Sequence, residues 1–193
     1  MNLELIIVFF LSYICGSIPF GLIVIKLFLH EDVRKIGSGN IGATNVLRTG
    51  RKSLAALTLI LDISKGFVSV YFTAIYFNDF IYLAALMCFV GHIYPIWLKF
   101  KGGKGVATYL GIILALSLKL AIIFILSWIV VLYFFRYSSL SSILSALSVL
   151  LYSLFINDFA LCLYLFITFI IILYTHRENV FRLKNKKENK IKL

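Results

Sequence analysis

The sequence has few charged residues, few acidic residues and few prolines, and these shortages exclude whole classes of protein. Of its 193 residues only 14% are charged, whereas 62% are hydrophobic and the mean hydropathy is +1.01. Soluble domains are about 45–50% apolar with about a quarter of their residues charged, so a soluble globular protein is excluded. Disorder requires low hydrophobicity and is excluded as well. The composition therefore indicates an integral membrane protein.

The cysteines and the N-terminus exclude further possibilities. Cys15, Cys88 and Cys162 all lie in apolar runs and form no Cys-x-x-Cys pair, so we interpret them as small buried hydrophobic residues rather than disulfide or zinc ligands. No Lys or Arg precedes Lys26 and no small-x-small cleavage site follows the first apolar run, so the N-terminus does not have the pattern of a secretory signal.

Glycine and proline are absent from the second part of the chain. All 12 glycines and both prolines occur at or before Gly111. We therefore expect plain packed helices over residues 112–175 and irregular backbone in the first 111 residues. Because irregular backbone in lipid belongs at the interface or around a polar cavity, function is expected in those first 111 residues and at the C-terminal inner edge.

Apolar runs predict an all-α, polytopic membrane helix bundle. A helix needs about 20 mainly apolar residues to cross a bilayer, and we expect seven crossings, with five as the alternative because the fourth run is short. The predicted crossings are residues 3–25, 53–77, 80–98, 106–118, 119–135, 140–156 and 159–175.

The charge distribution predicts the orientation. The chain has 19 Lys and Arg against 8 Asp and Glu, a formal net charge of +11. With the N-terminus outside and the C-terminus cytoplasmic, 17 of the 19 cations lie on the inner side, as the positive-inside rule requires. Lys65 lies within a crossing and Lys119 lies outside. We predict a single transmembrane domain over residues 1–183 and a basic cytoplasmic tail over residues 184–193, solvated and attracted to anionic lipid.

Two glycine-rich stretches are candidates for binding an anion. The first, residues 37–50, has three glycines within six positions, which let the backbone approach a ligand and turn its N–H groups toward it. The second, residues 99–108, opens a helix whose N-terminus favours anions. An ordinary interfacial turn and an ordinary basic loop are the respective alternatives. The candidate ligand groups are Gly37, Ser38, Gly39, Asn40, Thr44, Asn45, Arg48, Lys101, Gly102, Gly103, Lys104 and Gly105.

Other polar residues lie at or near the same predicted side. Asp62 and Lys65 are three residues apart on one helix face, and charge within a crossing is a functional hypothesis; a mutually satisfied structural pair is the alternative. His92 precedes the Lys-rich loop and is either functional or a helix anchor. The spacing of His176, Asn179 and Arg182 puts them on one face of a continuing helix.

These groups together predict a strongly anionic, phosphate-bearing substrate drawn from the cytoplasm. The acids are too few and too far apart for a metal cage, so no metal and no cofactor is expected. The sequence does not indicate Ser-His-Asp nucleophilic machinery, and it has no His-four-residues-Asp acyltransferase box. The basic residues need no nucleic acid to explain them.

The chain resembles the bacterial membrane glycerol-3-phosphate acyltransferases that use acyl phosphate as the donor. The resemblance covers residues 16 to 183 in the family's order and spacing. It rests on Gly37–Gly50, Asp62-x-x-Lys65-Gly66, Gly91-His92-x-x-Pro95, Phe100–Thr108, Tyr137–Leu140 and His176-x-x-Asn179-x-x-Arg182. Thr175 departs from the family's usual Arg, which implies one cation fewer at the rim of the site, and Arg51 stands where a Gly often follows the loop.

The resemblance implies transfer of a fatty acyl group from acyl phosphate to the 1-hydroxyl of sn-glycerol 3-phosphate, giving lysophosphatidate and inorganic phosphate in phospholipid synthesis. It implies no cofactor, a bacterial cytoplasmic membrane and an upstream enzyme that makes acyl phosphate. The implied catalytic residues are Ser38, Arg48, Lys104, His176 and Asn179. The implied substrate-binding residues are Gly37, Gly39, Asn40, Asn45, Lys65, His92, Lys101, Gly102, Gly103, Gly105, Thr108 and Arg182.

An organic-anion transporter or channel is the alternative from another class, because basic loops and broken helices also bind anionic solutes. It would show an internal repeat, and the sequence has none that is visible. A phosphatidyl-alcohol transferase would show clustered Asp residues, whereas the four Asp of this chain are widely separated. A membrane scaffold without catalysis is the remaining alternative.

Overall fold

The computed structural model describes residues 3–191, and its regular secondary structure there is entirely helical. The helices are α1 Leu3–Ser17, α2 Phe20–Leu29, α3 Ala43–Val46, α4 Lys52–Tyr76, α5 Ile81–Ile93, α6 Val106–Leu116, α7 Leu118–Phe135, α8 Ser138–Ser153, α9 Phe159–Thr175 and α10 Arg177–Lys184. Short 3₁₀ turns join several of them. The all-α prediction is confirmed for this part of the chain; Lys192 and the other terminal residues lie outside it.

Several of these helices are long and apolar enough to cross a membrane. Four stretches qualify, and the pair α9 and α10, bent by 59°, adds a fifth if it is one span. The stretches are Leu3–Leu29, Lys52–Tyr76, Asn78–Leu98 and Leu118–Phe135. Helices α6 and α8 are apolar but shorter. Each of the seven predicted crossings contains a helix, while the number of crossings and the orientation of the termini stay predictions.

The chain divides into two compact units, one ending at Leu116 and the other beginning at Ser117. In the first unit α1 packs on α5, and α4 packs on α6. Each pair has a glycine on both helices, Gly16 with Gly91 and Gly66 with Gly111, where a Cβ would overlap the backbone of the partner helix. These four glycines therefore serve close helix packing rather than the irregular backbone that the sequence led us to expect.

The chain between α2 and α4 is held by an apolar cluster. Val33, Ile41 and Val46 are buried together with Ile25 of α2 and Ala55 of α4. Burying these side chains fixes the connection on the two helices, because apolar contacts are the main favourable term when an irregular segment packs. The polar residues between 37 and 50 therefore lie on a loop that is held in place by this packing.

The second unit consists of α7, α8 and α9 with the short α10 packed on α8 and α9. Helix α8 turns a row of buried serines inward, and the hydroxyls of Ser141, Ser142 and Ser145 each donate to the carbonyl four residues earlier. Small side chains that satisfy their own hydroxyls let helices approach closely without an unpaired polar group.

Candidate functional site

Asn45 organises the first glycine-rich loop. Its Oδ1 accepts hydrogen bonds from Ser38 N at 2.9 Å and from Ser38 Oγ at 3.2 Å. Its Nδ2 lies within 3.0 Å of three backbone carbonyl oxygens, those of Val33, Ile36 and Asn40. The side chain is 3% exposed. An amide has two donor hydrogens and one acceptor oxygen, so Asn45 has no capacity left for a ligand, and its predicted direct contact with substrate is replaced by a role inside the loop.

Gly37 lets this loop close around Arg48. Its φ is +55°, and a Cβ there would lie 2.5 Å from Asn45 Oδ1 and 2.6 Å from Arg48 Cδ. Only glycine adopts this conformation without strain and leaves that space. Ser38 and Arg48 are both exposed, so the structure brings together a hydroxyl and a guanidinium at the loop surface.

Asn40 and Gly39 shape the same loop. Asn40 Oδ1 accepts a hydrogen bond from Gly42 N at 2.9 Å, and Gly39 N donates to Ile36 O at 3.0 Å. These are local turn contacts of the kind that Asn side chains commonly make. Ser38 and Arg48 are therefore the residues of the predicted set that this loop offers to an anion most directly.

The second glycine-rich stretch is held by backbone contacts to the end of α5. Gly102 N donates to Ile93 O at 3.0 Å and Gly103 N donates to His92 O at 3.1 Å. These two N–H groups are engaged, which corrects the expectation that they bind an anion. The N-terminus of α6 follows directly, and a helix leaves its first N–H groups without intrahelical partners. Lys101 is exposed and Lys104 half-buried beside it.

Three predicted substrate-binding residues lie inside the first unit rather than at its surface. Lys65 and His92 are each 4% exposed and Thr108 is fully buried. Lys65 Nζ lies 2.8 Å from Asp62 Oδ1, and Thr108 Oγ1 lies 3.0 Å from His92 Nδ1. Asp62 and Lys65 thus form the buried ion pair of the structural alternative, although Asp62 Oδ1 has no partner in hydrogen-bond geometry among the described residues.

In the second unit the helix does not continue through His176. Helix α9 ends at Thr175 and α10 begins at Arg177 at an angle of 59°, so the predicted continuing helix is wrong. Asn179 and Arg182 still share a face of α10, where both donate to Glu188. His176 is 2% exposed, and its Nδ1 donates to Ile172 O at 2.9 Å. A carbonyl can only accept, so Nδ1 carries a proton.

The sequence analysis missed Glu188. Its Oε1 accepts hydrogen bonds from Asn179 Nδ2 at 2.6 Å and from Ser139 Oγ at 2.8 Å, and its Oε2 accepts from Arg182 Nε at 2.7 Å. Partial burial raises the pKa of Glu188, but these hydrogen bonds prevail and hold the pKa below its usual value. The available signal was a single acid within the Lys-rich tail.

The end of the tail folds back on its own unit. Ile191 N donates to Arg136 O at 2.8 Å, and Lys190 Nζ lies 5.6 Å from the centre of the Tyr137 ring. Residues 187–191 are therefore attached to the α7–α8 connection and not simply solvated, as the sequence led us to expect for the whole tail.

Ionisable residues that could ligate a metal are scattered. Within residues 3–191, no group of three or more His, Cys, Asp and Glu side chains is placed to hold a metal ion. The ligand groups that this part of the chain does bring together are hydroxyls, amides, cations and backbone N–H groups. Such groups suit an anionic ligand.

Comparison with known proteins gives one family. Residues 6–186 match the sequence family described as glycerol-3-phosphate acyltransferase. The glycerol-3-phosphate acyltransferase of Pelagibacter ubique (strain HTCC1062) is 51% identical over 191 residues, which cover 99% of this chain and 100% of the relative. That of Wolbachia sp. subsp. Brugia malayi (strain TRS) is 46% identical over 191 residues, 97% of this chain and 99% of the relative.

Solved structures give the same result. The glycerol 3-phosphate form of PlsY (YgiH), an integral membrane glycerol 3-phosphate acyltransferase, matches with a TM-score of 0.93 and 34% identity, covering 97% of this chain and 96% of the other. Its lysophosphatidic acid form matches with a TM-score of 0.90 and 33% identity, covering 97% and 95%.

Glu188→Gln tests the contacts of the C-terminal segment. The amide would turn a donor toward Arg182 Nε or Asn179 Nδ2, and hydrogen bonds to charged groups contribute about 1.5–3 kcal/mol each. We expect the amides of residues 185–191 to exchange with deuterium roughly tenfold faster in detergent. Glu178→Gln is the matched control, because Glu178 is exposed and lies 3.7 Å from Arg182 Nη1. Equal exchange in both variants would contradict the assignment.

Proposed function

The chain belongs to the glycerol-3-phosphate acyltransferase family and is an integral membrane acyltransferase, and from this premise we propose its reaction. It transfers a fatty acyl group from an acyl phosphate to the 1-hydroxyl of sn-glycerol 3-phosphate. The products are lysophosphatidate and inorganic phosphate. The relatives' names and the bound forms of PlsY support glycerol 3-phosphate as the acceptor, and the sequence resemblance supports acyl phosphate as the donor.

The main support for the proposal is that Ser38 and Arg48 are both exposed on one loop. The buried Asn45 side chain holds this loop in place through hydrogen bonds with Ser38 N and Val33 O. A guanidinium binds phosphate bidentately, and the nearby hydroxyl supplies a further donor. The second stretch offers Lys101, Lys104 and the N-terminus of α6. Two anion-binding elements in one unit suit a reaction in which both substrates carry phosphate.

The residues of these elements have distinct proposed roles. Arg48, Lys104 and Ser38 hold phosphate oxygens and stabilise the charge that develops at the acyl carbonyl. Asn45 and Gly37, with Gly39 and Asn40, keep the loop in shape. Gly102, Gly103 and Gly105 shape the loop that binds glycerol 3-phosphate. The sequence resemblance supports catalytic or orienting roles for His176 and Asn179 and a substrate-binding role for Arg182.

The chemistry needs no covalent acyl-enzyme. The 1-hydroxyl oxygen attacks the acyl carbonyl carbon, the carbon–oxygen bond to phosphate breaks, and the electron pair leaves with inorganic phosphate. The hydroxyl proton goes either to His176 or to a phosphate oxygen. The acyl phosphate is already activated, so the residues contribute positioning and charge stabilisation.

We further propose seven crossings in the cytoplasmic membrane of a bacterium, with the N-terminus outside and the C-terminus in the cytoplasm. The one-sided distribution of Lys and Arg supports this orientation. The anion-binding stretches then face the cytoplasm, where a soluble acceptor is available and an upstream enzyme delivers acyl phosphate. Residues 1–183 act as one catalytic domain, and the tail 184–193 meets anionic lipid through its lysines.

Phosphate release tests the donor. The protein purified in detergent should release inorganic phosphate from palmitoyl phosphate only when glycerol 3-phosphate is present, without added metal, and should form lysophosphatidate in equal amount. Release of neither product, together with acyl transfer from acyl carrier protein or coenzyme A thioesters, would contradict the proposed donor.

Gly37→Ala tests the loop that carries Ser38 and Arg48. The added Cβ displaces Arg48 and Asn45. We therefore expect kcat/KM for acyl transfer to glycerol 3-phosphate to fall by about a hundredfold. Gly50→Ala is the matched control, because Gly50 has a φ of +79° with nothing within 4 Å of a Cβ, so it meets comparable backbone strain of about 1–2 kcal/mol without the collision. Similar activity in the two variants would show that the fit around Gly37 does not matter.

Cysteine labelling tests the orientation. In a variant without the three native cysteines, Lys101→Cys should react with a membrane-impermeant maleimide only after bacterial spheroplasts are lysed. Asp79→Cys, which lies on the predicted outer side, should react in intact spheroplasts. The reverse pattern would overturn the proposed orientation.

A further inference from the structure

Asp62 and Lys65 place two charges in the interior of the first unit, and the proposed chemistry uses neither. Their side chains are each 2% exposed. Charged groups are costly inside a membrane protein, and a buried ion pair is weak evidence for stability because apolar residues of similar volume often serve as well. The pair therefore needs a reason other than stability.

Lys65 connects the pair to the break between α1 and α2. Its Nζ donates to Ile18 O at 2.7 Å and lies 5.7 Å from the centre of the Phe20 ring. Ile18 precedes Pro19, whose ring nitrogen carries no hydrogen, and Ile18 O also accepts a hydrogen bond from Phe20 N at 3.1 Å. The ammonium thus serves a backbone carbonyl at the point where the first helix is interrupted.

Asp62 connects the pair to His92. Asp62 Oδ1 lies 2.8 Å from Lys65 Nζ and 3.6 Å from His92 Nδ1. Among the described residues this one oxygen has no partner in hydrogen-bond geometry. It acts on both neighbours through charge, which is strong where water is excluded. The charge of the carboxylate therefore helps to orient the imidazole.

His92 in turn contacts the second glycine-rich stretch on two sides. Its carbonyl accepts from Gly103 N at 3.1 Å, and a Cβ on Gly103 would collide with Nε2 of the ring. Nδ1 lies 3.0 Å from the hydroxyl of Thr108, in the first turn of α6. The imidazole thus packs between α4, the Gly102–Gly105 loop and the helix that the loop opens.

We propose that Asp62, Lys65 and His92 form a buried positioning network that sets the place of the Gly102–Gly105 loop and the N-terminus of α6 for glycerol 3-phosphate. The inference rests on the proposed function of that loop and changes the role of two residues. Lys65 and His92 are positioning residues that act through Gly103 and Thr108, not ligands of the substrate.

Asp62→Asn, His92→Asn and the double variant test the network by steady-state kinetics. Each single variant should raise KM for glycerol 3-phosphate about tenfold, with kcat changed less than about threefold and KM for palmitoyl phosphate unchanged. Because both substitutions disturb one network, the double variant should raise KM by about the same tenfold and not by the hundredfold product that independent sites give.

Thr108→Val tests the same network without changing a charge, and Thr73→Val is its control. Thr108→Val removes only the hydroxyl beside His92 and no charge, so it remains informative if Asp62→Asn fails to fold, and it should raise KM for glycerol 3-phosphate severalfold. Thr73→Val is the control, because Thr73 is equally buried on α4 but donates only to Ser69 O in its own helix. It should leave KM unchanged.

KM is independent of the fraction of folded enzyme, so it separates positioning from stability. Variants that lose thermal stability and maximal rate but keep the wild-type KM would overturn the inference, as would multiplicative effects in the double variant. If the wild type transfers no acyl group to glycerol 3-phosphate, the proposed function fails. The network is then tested by deuterium exchange at Gly102 and Gly103, which Asp62→Asn should accelerate; unchanged exchange would reject it.

Discussion

The structure depends on one constraint, which is that polar groups away from water must find partners within the protein. The polar segments of the chain meet this constraint through buried side chains. Asn45 satisfies carbonyls around the first loop, His92 with Asp62 and Lys65 lies behind the second, and Glu188 joins Ser139, Asn179 and Arg182 in the second unit. These buried contacts fix the positions of the exposed polar groups that lie beside them.

Buried and exposed polar groups therefore have different roles. Asn45 has its hydrogen-bond capacity engaged inside the protein, so on that loop the proposed binding of an anion is assigned to the exposed Ser38 and Arg48. Donors that are held in place before substrate arrives cost little ordering free energy on binding and stabilise developing charge without reorganisation. This suits a reaction whose donor is already activated, because charge stabilisation and positioning are then the protein's main contributions.

The sequence predicted the helices well, since an apolar run of sufficient length in a membrane protein has to satisfy its backbone as a helix. It also located the polar stretches. It could not predict whether a polar side chain faces inward or outward: Asn45 and Thr108 have ligand-like chemistry but are buried. Nor could it separate glycines that pack helices, such as Gly66, from glycines that turn loops, because both are recorded only as Gly. The bend at His176 and the acceptor role of Glu188 depend on tertiary contacts that spacing does not encode.

The two glycine-rich loops proposed to bind anions are ordered by contacts within the protein and not by the substrate. Site-resolved hydrogen–deuterium exchange on the wild-type protein in detergent tests this directly at three amides, Ser38, Gly102 and Gly103, which donate to Asn45 Oδ1, Ile93 O and His92 O. We expect all three amides to be protected without ligand and to change little in exchange rate when glycerol 3-phosphate is added. Amides that exchange like an unfolded chain until glycerol 3-phosphate is present would contradict it.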